Sequence, residues 1–420
     1  MSTPHLSIAL RSAAVSLAGG GDREIFVFVG NSLLHMASLN AWLLKRRAEG
    51  VYSKGIVCND IPRNKKPQFG PSDILGYQNG GIRYLRDNVD YIVVRNKIDR
   101  LTSLLVSPVD VRRDSDSFLF DRLVFIYPDH GMPCEAYWNA VLDLAKTVEC
   151  VAVEEGIAAY LPIESESSLF AHLNTSPIKR AYEVAKIKCL SKRKEAIRER
   201  IRKNIHISRF GIFKTTDLSQ KMEIDPSYSY WISQFFMRRG ENEPSVSLDF
   251  SKTVVVLGTA NADFIDQALV DDVLSCVINA VIAAGYKVYY RPHPRQTDSI
   301  KTDEGKGITV DQCSQYPIEE IIANASVMPT ATVGFCSTAQ LIASTFWNIP
   351  AIGISKLLFE HVIDSTERDA SRQFCKRLIF SESSFSEYYR VVDQFEDIPD
   401  LLQACEIDST SVNAHVKQAE

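Results

Sequence analysis

A nearly continuous apolar run that ends in a glycine turn opens each half of this chain, and it limits the fold more than any other feature. Glu24 to Val29 is the first run, closed by Gly30-Asn31-Ser32; Thr253 to Leu257 is the second, closed by Gly258-Thr259. A run without polar alternation suits a parallel strand covered on both faces. Helical spacing follows each turn. Leu33 to Arg47 puts Leu33, Met36, Leu39, Trp42 and Leu43 on one face. Phe264 to Ala284 reads as the matching helix of the second half.

Further strands are expected at Ile56 to Cys58, Tyr91 to Arg95, Arg122 to Tyr127 and Cys150 to Val153, with a helix over Glu135 to Thr147 between the last two. In the second half, Lys287 to Tyr290 and Ala351 to Ile354 read as strands, and Ile318 to Ala325 and Gln340 to Trp347 as helices. Strand and helix in alternation predict a parallel sheet. The 420 residues exceed one ordinary core, so the expectation is two α/β domains, 1–245 and 246–420, with Gly240 to Ser247 as linker. Ligands of such sheets bind at strand C-terminal ends, here in a cleft expected between the halves.

Composition narrows the function. The formal net charge of -5 argues against a nucleic-acid partner. Nine cysteines with no C-x-x-C pair suit reduced thiols in the cytoplasm and no structural zinc. No stretch reaches the ~18 apolar residues that span a bilayer. Met1 to Gly21, with Arg11 inside its apolar run, reads as a lead-in or a first short helix rather than a signal peptide. A basic helical segment near 178–210 carries twelve Lys/Arg against three Glu between Lys179 and Arg209. It is either a solvated helix or a face for anionic glycan or lipid, the latter meaning peripheral contact with the inner membrane.

Several motifs carry chemistry. Val151-Ala152-Val153 runs into Glu154-Glu155-Gly156, and adjacent carboxylates at a strand end raise each other's proton affinity, which suits a general base. Tyr290-Arg291-Pro292-His293-Pro294-Arg295 fixes one imidazole between two prolines in a cationic setting, which suits a phosphate leaving group. Gly334-Phe335-Cys336-Ser337-Thr338 leads two hydroxyls into a helix start; capping needs one of them, and a phosphate would use the other. Glu319, after Pro317-Ile318, is either a first-turn glutamate or an acceptor for ribose hydroxyls. Asp129-His130-Gly131 is a turn or an acceptor contact. Asp114-Ser115-Asp116 matches a metal-binding D-x-D but precedes its strand, so it reads as loop and no metal is expected.

These residues, in this order, resemble the bacterial sialyltransferases and polysialyltransferases of the two-domain GT-B type. That group carries an acidic-acidic-glycine motif, a His-Pro motif and a Ser/Thr pair, here Glu154-Glu155-Gly156, His293-Pro294 and Ser337-Thr338. Tyr160 after the first motif, the Ile318-Glu319 helix, and Asn31-Ser32-Leu33-Leu34 with Leu39-Asn40-Ala41 extend the likeness. Arg291 stands where lysine is common, and Cys336 where serine is.

The resemblance implies a GT-B fold of two Rossmann-like domains facing a central cleft, with an acceptor-side and a donor-side domain. It implies inverting, metal-independent transfer of a nonulosonic acid such as sialic acid from a CMP-sugar to a glycan or glycolipid of capsule or lipooligosaccharide. Glu155, beside Glu154, would be the base and His293 would meet the departing phosphate. Ser337, Thr338, Arg291, Pro294, Gly334, Gly258 and Thr259 would line the donor site, with Glu319 on the ribose. Asn31, Ser32 and His130 would lie on the acceptor side. Rival readings are a CMP-Kdo transferase, a teichoic-acid-type glycerophosphotransferase, or a non-catalytic glycan- or nucleotide-binding component of a capsule assembly complex.

Overall fold

A computed structural model describes residues 3–18, 24–30, 32–51, 54–59, 69–75, 77–79, 82–85, 118–128, 137, 141–142, 144–154, 178, 181, 184–185, 207–211, 223–241, 248–259, 265–293, 307–311, 317–363 and 369–406. The chain divides into two units: Met1–Tyr160 with Lys186–Phe235, and Leu161–Ala185 with Phe236–Glu420. The division falls inside a helix, Tyr228–Glu241; of the linker expected at Gly240 to Ser247, Gly240 and Glu241 belong to this helix and 242–247 lie outside the described residues.

Unit one holds strands β1 (Glu24–Gly30), β2 (Gly55–Asn59), β3 (Ile82–Leu85), β4 (Phe120–Pro128), β5 (Ala145–Val153), β6 (Ile207–Phe210) and β7 (Glu223–Ile224). They form one sheet in the order β3-β2-β1-β4-β5-β6-β7, and its recorded pairings are parallel. Helix α1 (Thr3–Ala18) lays Leu10, Ala14 and Leu17 into the core with Ile25, Val27 and Phe125. Helix α2 (Leu33–Ala48) buries every residue from His35 to Leu44, so Met36, Leu39, Trp42 and Leu43 of the predicted face are inside while Leu33 stays partly exposed, and Trp42 meets Phe26 edge-on at 5.7 Å.

One expectation needs correction here. The helix predicted over Glu135 to Thr147 overruns, since Ala145 already pairs with Phe120 and Thr147 with Arg122 in β5. Val141 and Leu142 are helical, and the Leu144 amide closes the turn on the Val141 carbonyl at 3.1 Å. Val141, Leu142 and Leu144 are buried as their spacing demands, but apolar spacing alone does not mark where the last turn becomes a strand.

Unit two repeats the pattern with β8 (Thr253–Leu257), β9 (Lys287–Arg291), β10 (Ile308–Val310), β11 (Ala331–Gly334), β12 (Ala351–Gly353) and β13 (Tyr389–Val391). Their order is β10-β9-β8-β11-β12-β13, again paired in parallel. Helices here are α4 (Gln267–Ala283), α5 (Ile318–Ala323), α6 (Thr338–Trp347), α7 (Ser355–Ile363) and α8 (Asp369–Ser384), the boundary helix Tyr228–Glu241 being α3. The α4 helix starts later than Phe264 because the Asp266 carboxylate accepts the Ala268 amide and caps it. Both sheets have the doubly wound strand order of a Rossmann-like domain, and two such units in one chain make the GT-B build. No described helix is long and apolar enough to cross a membrane.

Candidate functional site

In unit two the chain runs outward from β8 in both directions, to β9 on one side and to β11 on the other. This reversal is where open α/β sheets bind ligands, beyond the strand C-terminal ends. Gly258-Thr259 follows β8, Pro292-His293 follows β9, and Phe335 to Thr338 follows β11. Strands lie ~4.8 Å apart, so the three turns stand side by side on one edge. The Gly258 amide donates to the Arg291 carbonyl at 2.8 Å, which ties the first turn to the second strand. The Thr259 carbonyl accepts from Gln267 Nε2 at 3.1 Å.

The hydroxyl turn is built tightly. Gly334 ends β11 where a Cβ would lie 3.1 Å from Gln340 Oε1 and 3.3 Å from Leu257 Cβ, so no larger residue fits without movement. Cys336 is buried with φ of 48°, a left-handed conformation that costs a non-glycine residue about 1 kcal/mol. That bend delivers Ser337 as the N-cap of α6. Its Oγ accepts the Gln340 amide at 3.2 Å, and Gln340 Oε1 accepts the Ser337 amide at 3.1 Å. A hydroxyl that accepts one amide still has its own proton to donate. Thr338, the first helical residue, is half-buried. The cap therefore accounts for Ser337 and gives no reason for the second hydroxyl.

His293 is half-buried, two residues past the β9 end. Arg291 was expected to face phosphate. Its side chain is instead buried and pairs with Asp311, which follows β10, because a guanidinium this far inside needs a counter-charge. Glu319 lies in the first turn of α5, and burial pushes its carboxyl upward while the Arg291 charge pulls against that. The Glu319 side chain stays partly accessible, whereas the neighbouring Glu320 is buried.

On the corresponding edge of unit one, Ser32 follows β1 and caps α2, its Oγ accepting the His35 amide at 3.2 Å. His35 is buried in that first turn, and desolvation lowers its imidazole to about 4, so it is neutral. Glu154 follows β5 and is fully buried. Asn40 holds the loop beyond β2 by donating to the Asp73 carbonyl and accepting the Leu75 amide, both at 2.7 Å. Glu155, Gly156, Pro294, Asn31, Asp129, His130, Asp114, Asp116 and most of the 178–210 segment lie outside the described residues.

Sequence reasoning missed four side chains that shape this edge. Gln340 bridges the turn to the sheet, donating to the Ile352 carbonyl at 3.0 Å. Asp311 balances Arg291. Tyr389, in β13, donates its hydroxyl to the Ser337 carbonyl at 2.9 Å. Glu382, in α8, is fully buried against Gly353. Only Gln340 had a signal in the sequence, a Ser-x-x-Gln capping box.

The sequence profile of the alpha-2,8-polysialyltransferase (POLYST) family matches residues 135–355, from the helix before β5 to the start of α7. No curated protein matches. Among solved structures, an α/β-galactoside α-2,3-sialyltransferase from Photobacterium phosphoreum is 10% identical with a TM-score of 0.45, covering 90% of this chain and 99% of its own. A 2,6-sialyltransferase from Photobacterium sp. JT-ISH-224, solved with CMP and lactose, is 12% identical with a TM-score of 0.43, covering 88% and 78%. A UDP-GlcNAc 2-epimerase from Methanocaldococcus jannaschii is 14% identical with a TM-score of 0.45, covering 91% and 92%. The matched segment contains the strand that ends in Glu154, the His293 turn and the Ser337-Thr338 turn, and covers more than half of the chain: the protein belongs to the alpha-2,8-polysialyltransferase family and is a glycosyltransferase.

Proposed function

We propose that the protein transfers sialic acid or a related nonulosonic acid from a CMP-activated donor to a bacterial surface glycan, with inversion and without a metal ion. The observation that carries this reading is the unit-two edge. Gly258-Thr259, His293 and the Ser337-Thr338 pair stand on three adjacent strand ends at the chain reversal. A helix start with two hydroxyls accepts a phosphate, and a neighbouring imidazole serves the oxygen that leaves with it. The family's name adds an α-2,8 linkage to this reading.

In this mechanism Glu155 takes the proton of the acceptor hydroxyl, whose oxygen forms the new bond to the anomeric carbon. The bond to the donor phosphate breaks, and its electron pair leaves with CMP. His293 donates to the leaving phosphate oxygen while Ser337 and Thr338 hold its neighbours. Charge grows on that phosphate as the bond breaks, so these donors act most in the transition state. Glu319 accepts the ribose hydroxyls. Arg291 keeps the strand end in place through Asp311. Glu154 supports the base from the interior, and Asn31, Ser32 and His130 face the acceptor. Capsule or lipooligosaccharide is the destination, reached from the cytoplasmic side of the inner membrane.

The test is calorimetric titration of the protein with CMP, with UDP and CDP alongside, with and without chelator, against His293→Ala. The expected result is metal-independent binding that favours CMP and weakens by about tenfold in the variant, the scale of one charge-assisted hydrogen bond. A preference for UDP or CDP sinks the reading. CMP-sugar binding without CMP release turns it into a binding module.

A further inference from the structure

The interior behind the donor edge contains an acid that the mechanism above does not use. Glu382 lies in α8, fully buried. One carboxyl oxygen, Oε1, accepts both the amide of Ser355, at 3.2 Å, and its hydroxyl at the start of α7. The other, Oε2, has no hydrogen-bond partner among the described residues. The carboxyl sits where a side chain at position 353 would be. A Cβ on Gly353 would lie 2.5 Å from Glu382 Cδ and 2.8 Å from each oxygen. Gly353 is therefore a glycine because the acid occupies its place.

One chain of bonds and two charge effects run from this carboxyl toward the hydroxyl turn. Gly353 pairs with Gly334 in the sheet, and the Ile354 amide beside Ser355 donates to the Gly334 carbonyl at 3.2 Å. The Cys336 thiol feels the Glu382 charge, and burial with that charge pushes it upward. The Tyr389 hydroxyl feels the same charge, meets the Cys336 thiol and donates to the Ser337 carbonyl. The titratable groups acting with Glu382 are thus Cys336, from the β11–α6 turn, and Tyr389, from β13. Ser355 of α7 and Gly353 of β12 carry no charge. Among the described residues no cation offsets the acid.

We propose that Glu382 is a positioning residue for the donor site, holding the Cys336-Ser337 turn in place through Ser355 and the Ile354–Gly334 hydrogen bond. This rests on the reading of that turn as the nucleotide-phosphate cradle. Glu382 fixes the start of α7 by accepting both donors of Ser355, and the adjacent Ile354 amide holds the Gly334 carbonyl from which the turn departs. Loss of the carboxyl frees Ser355 and opens the space above Gly353, so the strand end that carries the bend loses its support.

The experiment measures CMP affinity by calorimetry, and KM for the CMP-sugar against kcat, for wild type, Glu382→Gln, Glu382→Ala and Ser355→Ala, each checked for folding by circular dichroism. Glu382→Gln keeps an oxygen for Ser355 and is expected to bind CMP within about twofold of wild type. Glu382→Ala and Ser355→Ala are expected to weaken CMP binding and raise KM, by about tenfold for the glutamate, the scale of one lost hydrogen bond, with kcat little changed. A Glu382→Gln as weak as Glu382→Ala overturns the inference, as does a folded Glu382→Ala or Ser355→Ala that binds CMP normally. A wild type that binds no nucleotide at all overturns the donor-site reading itself.

Discussion

Ser337 and Gln340 cap each other. The serine oxygen accepts the Gln340 amide at 3.2 Å, and the glutamine oxygen accepts the Ser337 amide at 3.1 Å. Gln340 then donates to the Ile352 carbonyl at 3.0 Å, so one buried side chain joins the hydroxyl turn to β12. Gln340→Leu strands the Ser337 amide and the Ile352 carbonyl and is expected to lower the unfolding free energy by about 2–3 kcal/mol. Ser337→Ala removes a single cap and costs about 1 kcal/mol. Thr338→Val is expected to weaken CMP binding by about tenfold. Denaturant unfolding beside CMP titration checks all three, and the contrast separates a hydroxyl that caps from one that binds.

Gly353 and Glu382 share one space. Gly353→Ala pushes a methyl group against a buried carboxyl that Ser355 holds by two hydrogen bonds, and is expected to cost about 1–3 kcal/mol. Glu382→Ala vacates the space, so the double variant is expected to be more stable than the two single costs imply. Denaturant midpoints for the four proteins give a coupling of about 1 kcal/mol or more. Additive costs would place the carboxyl elsewhere.

Arg291 and Asp311 test whether that arginine acts on the ligand or on the fold. Arg291→Met leaves Asp311 buried without its counter-charge and is expected to cost about 3–5 kcal/mol. Arg291→Met with Asp311→Leu removes both charges and is expected to recover most of the stability and, with the strand end restored, CMP affinity. Recovery of stability without affinity would return Arg291 to direct phosphate contact.

The chemistry-bearing edge was legible in the sequence where local rules decide it. Ile56 to Cys58, Thr253 to Leu257, Lys287 to Tyr290 and Ala351 to Ile354 read as strands because buried parallel strands are apolar throughout. The Ser337 and Gly334 turn was visible through its capping chemistry. Strands β3, β10 and β13 were not, because each is a short sheet edge with mixed polarity, such as exposed Arg83 within β3. Glu382 could not be found either. It sits in Phe380-Ser381-Glu382-Ser383-Ser384, which reads as a solvated helix face, and its burial comes from Gly353, twenty-nine positions earlier in the chain. Likewise, Arg291 beside His293 read as a phosphate ligand because its partner Asp311 lies on another strand's end.

His35 and Glu382 give the two units opposite responses to pH. His35 titrates at about 4 in the folded protein against 6.5 unfolded. Between those values the unfolded chain binds a proton that the fold refuses. Its contribution is complete above 6.5 and is lost as pH falls toward 4, by up to about 3 kcal/mol. Glu382 titrates at about 7 in the folded protein against 4.5 unfolded. Here the fold holds a proton that the unfolded chain releases. Its contribution is complete below 4.5 and is lost as pH rises toward 7, by up to about 3 kcal/mol. His35 belongs to unit one and Glu382 to unit two. Acid is therefore expected to loosen unit one and neutral pH to loosen unit two. Hydrogen exchange at pH 5 and pH 7.5, corrected for intrinsic rates, reads each unit by its own peptides. Protection of β1 and α2 should rise with pH, and protection of β11, β12 and α7 should fall. His35→Gln should flatten the first trend alone and Glu382→Gln the second alone; a variant that flattens the wrong unit, or neither, would show that its burial is not the source of the response.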